Sequence, residues 1–199
     1  MGTRNLTCVM YNGEYRVAQY CQWDGYPSGQ GAIALNFLSD KEKLAALRRN
    51  ISLCRFISKE EYDRLWTDMG LPKSNDGWVS CEDANKFKLK YPQLDRDMGA
   101  SVLDFIANST DIIRLQSDIN FVKDSLFCEW AYVIDFDKNT FEVYKGFNNM
   151  PLDKSERFYS GTPNKDKYYP VKLVVSYSLD ALPNLEEFLN DSEPSDEDE

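Results

Sequence analysis

The 199-residue chain contains no histidine. Imidazole titrates nearest neutrality and is the commonest general base and metal ligand. Ser-His-Asp and Cys-His nucleophile systems are therefore excluded, as are His-ligated zinc and facial-triad iron sites. Patterned cysteine is missing too. Cys8, Cys21, Cys54, Cys81 and Cys128 are odd in number and widely spaced, with no C-x-x-C pair. That spacing fits free thiols packed as small apolar groups better than a zinc site or a disulfide framework. No apolar run reaches the roughly 18 residues of a membrane span, and no apolar leader opens the chain. Leu6 stands where a myristoylation signal has Ser or Thr. The expectation is a cytoplasmic protein without membrane contact, metal or cofactor.

Basic excess is absent as well. The net charge is −10, and no basic stripe interleaved with aromatics occurs, so nucleic acid is not an expected partner. The acidity is local. Glu186, Glu187, Asp191, Glu193, Asp196, Glu197, Asp198 and Glu199 crowd the end with no Lys or Arg among them, and the rest of the chain carries 25 acids against 23 bases. What the chain does have is apolar mass: 42% hydrophobic and 14% aromatic residues are enough to bury one core. Residues 1–189 are expected to form a single α+β domain, and 190–199 a disordered acidic tail.

Leu6–Tyr11 and Glu14–Cys21 read as two short strands around Asn12-Gly13, a pair that tolerates the positive φ of a type I′ turn. Helical spacing follows in Ala32–Leu38 and from Asp40 to about Arg49. Ser58-Lys59-Glu60-Glu61 is a capping box for a helix stopped by Gly70 and Pro72. Asn75-Asp76-Gly77 reads as a turn, Ser80 as the cap of a helix ending before Pro92, and Gly99–Ala107 as one more helix. The period then shifts toward 2. Ile112–Leu115 is a short strand candidate, Leu126–Phe136 and Thr140–Phe147 a hairpin across Asp137-Lys138-Asn139, and Tyr168–Tyr177 another strand before a helix at Leu182–Leu189. This order predicts an antiparallel sheet built from N- and C-terminal hairpins, with a helical middle segment.

The most distinctive stretch is Gln22-Trp23-Asp24-Gly25-Tyr26-Pro27-Ser28-Gly29-Gln30-Gly31. Gly25, Gly29 and Gly31 permit positive φ and close backbone approach, and Pro27 biases Tyr26 to an extended state. Trp23 and Tyr26 offer flat faces, Asp24 and Gln30 polar specificity. A helix starting after Gly31 would present free N–H groups to an anion. The spacing is neither a Walker loop nor a dinucleotide fingerprint. Two readings fit: a hairpin-to-helix corner with Trp23 and Tyr26 in the core, or a contact site. Arg4 with Asp24 is the expected ion pair, either fixing the loop or gripping a carboxylate or phosphate.

The opening Met1-Gly2-Thr3-Arg4, the Trp23-Asp24-Gly25-Tyr26-Pro27-Ser28-Gly29-Gln30-Gly31 segment and the run Phe127-Cys128-Glu129-Trp130-Ala131-Tyr132-Val133-Ile134-Asp135 resemble a family of small proteins from bacteriophages, bacteria and fungi. Tyr169-Pro170-Val171 and the acidic end are similar to its fungal members. The family carries no established activity. The resemblance implies that Arg4 and Asp24–Gly31 are a recurring unit, and its phage membership implies a role in host–phage conflict.

Asp135-Phe136-Asp137-Lys138-Asn139 imitates half an EF-hand loop, but Thr140 and Gly146 occupy the positions of the obligatory Gly and Glu. A polar hairpin turn is expected there instead. Enzymatic routes without histidine reduce to carboxylate pairs, a lone nucleophile, Tyr or Lys bases, or carboxylate-held magnesium. An N-terminal-nucleophile fold suits the strand-first layout, yet removal of Met1 exposes Gly2, which carries no nucleophile. The favoured function is non-enzymatic: a binding or sequestering protein that holds a small ligand or partner peptide with Arg4, Gln22, Trp23, Asp24, Gly25, Tyr26, Ser28, Gly29, Gln30, Gly31 and Glu129, rimmed by Trp130 and Tyr132. The alternative is a histidine-free hydrolase with Asp24 and Glu129 as acid and base.

Overall fold

Asn12 and Gly13 both take left-handed backbone, at φ +54° and +76°, and fold β1 (Asn5–Tyr11) back against β2 (Glu14–Cys21). This hairpin belongs to a computed structural model that describes residues 2–72 and 79–193. A second hairpin pairs β5 (Trp130–Asp135) with β6 (Thr140–Lys145), and β7 (Lys172–Ser178) adds to its outer side. Its turn is polar as expected. The Asp135 carboxylate accepts the N–H groups of Asp137 and Lys138, and Asn139 sits at φ +58°.

The fold is α+β, with strand order β2-β1-β5-β6-β7. The expectation of a wholly antiparallel sheet is corrected at one place. The two hairpins join through β1 and β5, which run parallel in the register Asn5↔Trp130 to Met10↔Asp135. A parallel pair needs a long crossover, and the helical middle segment supplies it. Residues 54–56, left unassigned by the sequence pattern, form β3 (Cys54–Phe56), parallel to β4 (Ile113–Leu115) in a separate small sheet.

The helices start where side-chain acceptors stand ready. α1 (Ala32–Ser39) gives way to Asp40, whose carboxylate takes the Glu42 and Lys43 N–H groups and opens α2 (Lys41–Asn50). Ser58 caps α3 (Lys59–Asp68) and Ser80 caps α4 (Cys81–Lys90). The Gly99–Ala107 helix divides into a 3₁₀ turn, Gly99–Ser101, and α5 (Val102–Ala107). Asn184 and Glu187 cap α6 (Leu185–Ser192) reciprocally. That helix runs through residues 190–192, assigned above to the tail. Ser192 is fully buried and Asp191 accepts the Tyr177 hydroxyl, so tertiary contact outweighs the local acidity. The turn expected at Asn75-Asp76-Gly77 lies outside the described residues.

One sheet face carries Val9, Val17, Tyr132, Ile134, Phe141 and Val143 into the main core with α1, α2, α5 and Phe188 of α6. The other face carries Leu6, Cys8, Ala131, Val133 and Tyr144, covered by Val122 of a 3₁₀ turn (Ile119–Lys123) and by Leu152 and Phe158 from irregular chain. A satellite cluster stacks Trp66 of α3 on Phe87 of α4, ring centroids 4.1 Å apart. Four of the five cysteines are buried; Cys81 is exposed.

The long connection from β6 to β7 is locked by Arg157. Its guanidinium bonds Glu142 at 2.7 and 2.9 Å and also reaches Asp135, with all three side chains almost wholly buried. Burial disfavours both carboxylates, but the bonds from Arg157 and neighbouring groups outweigh it and hold both carboxyls below their ordinary range. With a lowered folded-state pKa, the stabilisation is complete above the unfolded carboxyl range of about 4 and is lost as pH falls below it. Arg157→Met should cost about 3–5 kcal/mol at neutral pH in urea unfolding, because two buried carboxylates lose the cation that pairs them. Protonation relieves that penalty, so the deficit should shrink as pH is lowered toward about 4.

Candidate functional site

The Gln22–Gly31 segment sits at the sheet end where β1 and β5 begin. Thr3 accepts the Gly25 N–H at 2.9 Å, and the Arg4 carbonyl accepts those of Glu129 and Trp130 at 3.2 and 3.3 Å. Residues 2–4 therefore run between the corner and the entry to β5.

The corner turns at Asp24, not at its glycines. Asp24 holds φ +54°, while Gly25, Gly29 and Gly31 are absent from the left-handed set. Close approach is what demands glycine here. A Cβ on Gly29 would lie 2.1 Å from the Asp24 carbonyl oxygen, and one on Gly31 would lie 2.9 Å from the Tyr132 ring. Residues 27–31 close as a single wide π-type turn that runs into α1. Its N–H groups are consumed internally: Gly29 and Gly31 donate to Tyr26, and Gln30 donates to Asp24 at 2.7 Å. Ala32 donates back into the turn. Of the N–H groups expected to accept an anion, that of Ala32 is thus spent, as are those of Gly29, Gln30 and Gly31 before it.

The named side chains divide into two sets. Trp23 is 52% exposed and Tyr26 39%, so neither belongs to the core. Asp24 and Ser28 are exposed beside them. The Tyr26 hydroxyl donates to Asp24 at 3.0 Å, a bond to the carboxylate that raises the phenol's pKa. The second set is structural. Gln30, expected to give specificity, is buried and its carbonyl oxygen accepts the Ala100 N–H at 2.8 Å. Gly25 and Gly31 are buried, and the Gly25 carbonyl accepts the Tyr132 hydroxyl at 2.8 Å. Trp130 and Tyr132 do neighbour the hairpin, yet both are buried, so they support the corner from beneath rather than rim it.

The expected Arg4–Asp24 pair is replaced by another. Arg4 pairs with Glu129, through its backbone N–H at 3.1 Å and its guanidinium at 3.5 Å, because the parallel register of β1 and β5 puts them side by side. Asp24 is taken by Tyr26 instead. Each carboxylate of the hypothetical hydrolase thus has one oxygen bonded to a neighbour, Asp24 to Tyr26 and Glu129 to Arg4. The Arg4 guanidinium lies 4.8 Å over the ring of Phe127, which is 40% exposed. Phe127 is an exposed neighbour of Arg4 that sequence reasoning missed, although it begins the run quoted above; only its neighbours drew notice. On the other side a Cβ on Gly2 would lie 2.3 Å from the Trp23 indole. Trp23, residues 2–4 and Phe127 therefore form one continuous surface, joined to Gln22, whose carbonyl oxygen accepts the Tyr20 hydroxyl and an Arg96 N–H at 2.6 Å each.

Among the described residues no three of Cys, Asp and Glu form a group that could hold a metal ion, and no helix is long and apolar enough to cross a membrane. No family model, curated protein or solved structure matches the chain.

Gly29→Ala should destabilise the fold by about 1–3 kcal/mol, as overpacking against rigid backbone does. Thermal melting and amide exchange at Gln30 and Gly31 check this; an unchanged Tm would mean the corner is pliable.

Proposed function

We propose that this chain is a non-enzymatic binding protein whose contact surface is the corner Trp23–Ser28 together with Arg4, Phe127 and Glu129, and that its partner is an extended peptide segment of another protein. The observation that carries the reading is the half-exposed Trp23 indole on backbone that is internally hydrogen-bonded and sterically closed. Trp, Tyr and Arg dominate binding hot spots, and aromatic anchors held rigidly lose little entropy on association. The polar groups around them suit a peptide: Asp24 and Glu129 accept, and Arg4 donates. Clefts of about 240, 290, 390 and 460 Å³ lie elsewhere on the surface, and none of these four is lined by corner residues. The exposed flat rings of Trp23 and Tyr26 favour a peptide laid across them.

A displayed random dodecapeptide library, selected on the wild-type protein, supplies the probe. Trp23→Ala should weaken the selected peptides by at least about thirty-fold, the effect of losing about 2 kcal/mol at a hot spot, with the melting temperature almost unchanged. Peptides that bind Trp23→Ala as well as wild type would remove the corner from the contact surface. A large fall in stability would instead make Trp23 structural.

A further inference from the structure

A cleft of about 240 Å³ follows the outer edge of β2 and is lined by Gln19, Tyr20, Gln93, Arg96, Gln116 and Asp118. It does not depend on the reading of the corner, although Gln22 adjoins both. Its wall is polar well below the surface. Gln93 is only 8% exposed, and its carboxamide makes no hydrogen bond to any described residue. Gln19, also buried, spends its amide N–H groups on the carbonyls of Asp95 and Tyr20 and leaves its own carbonyl oxygen free. The free atoms of both carboxamides are not among the sealed, unpaired ones of the interior, so they open onto the cleft they line, where a polar guest can reach them.

The charges have the same character. Asp118 stands where the chain meets the β2 edge. Its N–H goes to the Ala18 carbonyl, and one carboxylate oxygen accepts the Tyr20 N–H at 3.4 Å. No cation lies within ion-pair distance of it among the described residues. Burial accordingly raises its pKa. Arg96 lines the same cleft but does not pair with Asp118. It is held by Gln22 at 2.6 Å, lies 5.6 Å over the Tyr20 ring, and among the described residues its one acidic neighbour in ion-pair range is Asp97, at 3.8 Å. A guanidinium has five donors, so most of them remain available. One cation and one anion thus face a small polar space without neutralising each other. A simple cation would meet Arg96 and a simple anion would meet Asp118; a molecule bearing both charges satisfies both.

We propose that this cleft binds a small zwitterion of the free amino-acid type, with its ammonium on Asp118, its carboxylate on Arg96 and its polar body against the carboxamides of Gln19, Gln93 and Gln116. The probe is L-glutamine, titrated while the side-chain amide NMR signals of Gln93 and Gln116 are followed. The expected result is a saturable shift. Asp118→Asn, whose oxygen still accepts the Tyr20 N–H, and Arg96→Gln should each weaken binding by about tenfold or more, as expected for loss of a charged hydrogen bond. Glutaramate, which keeps the carboxylate and carboxamide but lacks the ammonium, should bind as weakly as L-glutamine binds Asp118→Asn. Trp23→Ala should bind L-glutamine like wild type, which separates this cleft from the corner. The proposal is overturned by no saturable shift at millimolar L-glutamine, by equal affinity for glutaramate, or by an affinity that either charge variant leaves intact.

Discussion

The parallel pairing of β1 with β5 is the constraint on which the surface features rest. Asn5 faces Trp130 in that register, and the Arg4 carbonyl takes two N–H groups just before the ladder begins. Two consequences follow from the same alignment. Arg4 meets Glu129 and covers Phe127, and Tyr132 lies beneath Gly25 and donates to its carbonyl. Because side chains alternate along a strand, a one-residue slip would turn Tyr132 to the opposite face and leave the corner unsupported. The register is held by full burial: every residue of β5 is inside.

Local chemistry was legible and long-range pairing was not. Asn12-Gly13 announced its turn, Ser58 and Ser80 announced their helices, and the corner was located to the residue. Each rests on contacts within a few positions. The Arg4–Glu129 pair spans 125 residues and depends on which hairpin edges meet, which neither hairpin encodes alone. The corner glycines were half read: close backbone approach holds at all three and positive φ at none. Positive φ is a local property that sequence suggests, whereas the absence of room for a Cβ is set by Asp24 and Tyr132. β3 was missed because three residues show no period. Arg157 was missed because a charged residue in a polar stretch looks like surface; only the fold reveals that it bridges Asp135 and Glu142 beneath the sheet.

The two faces of the sheet are secured by different physics. Helices cover one face with apolar contact, which is forgiving of small shifts. Mostly irregular chain covers the other, and there the buried guanidinium and its two carboxylates supply a geometry that apolar contact would not specify. A buried ionic cluster is weak evidence for net stability, but it punishes misalignment severely, since each displaced charge would be left in the interior. A 26-residue connection with no strand or α-helix of its own needs that kind of selectivity more than it needs added burial.

One atom links the corner to the β2-edge cleft. Gln22 Oε1 accepts from Tyr20 and from Arg96, so both of its lone pairs are used. Gln22 immediately precedes the aromatic corner, and Arg96 supplies the cleft's cation. The same carbonyl oxygen thus orients the guanidinium and anchors the chain as it leaves β2 toward Trp23. This is stiffness rather than signalling. Coupling between sites requires an element with two arrangements, and this junction has one fully satisfied arrangement. Its physical effect is to keep Arg96 away from Asp118. Unrestrained, an exposed arginine and a carboxylate with no cation beside it among the described residues would tend toward each other; tied to Gln22 and set over the Tyr20 ring, the cation stays where it is and the two charges remain open to the cleft between them.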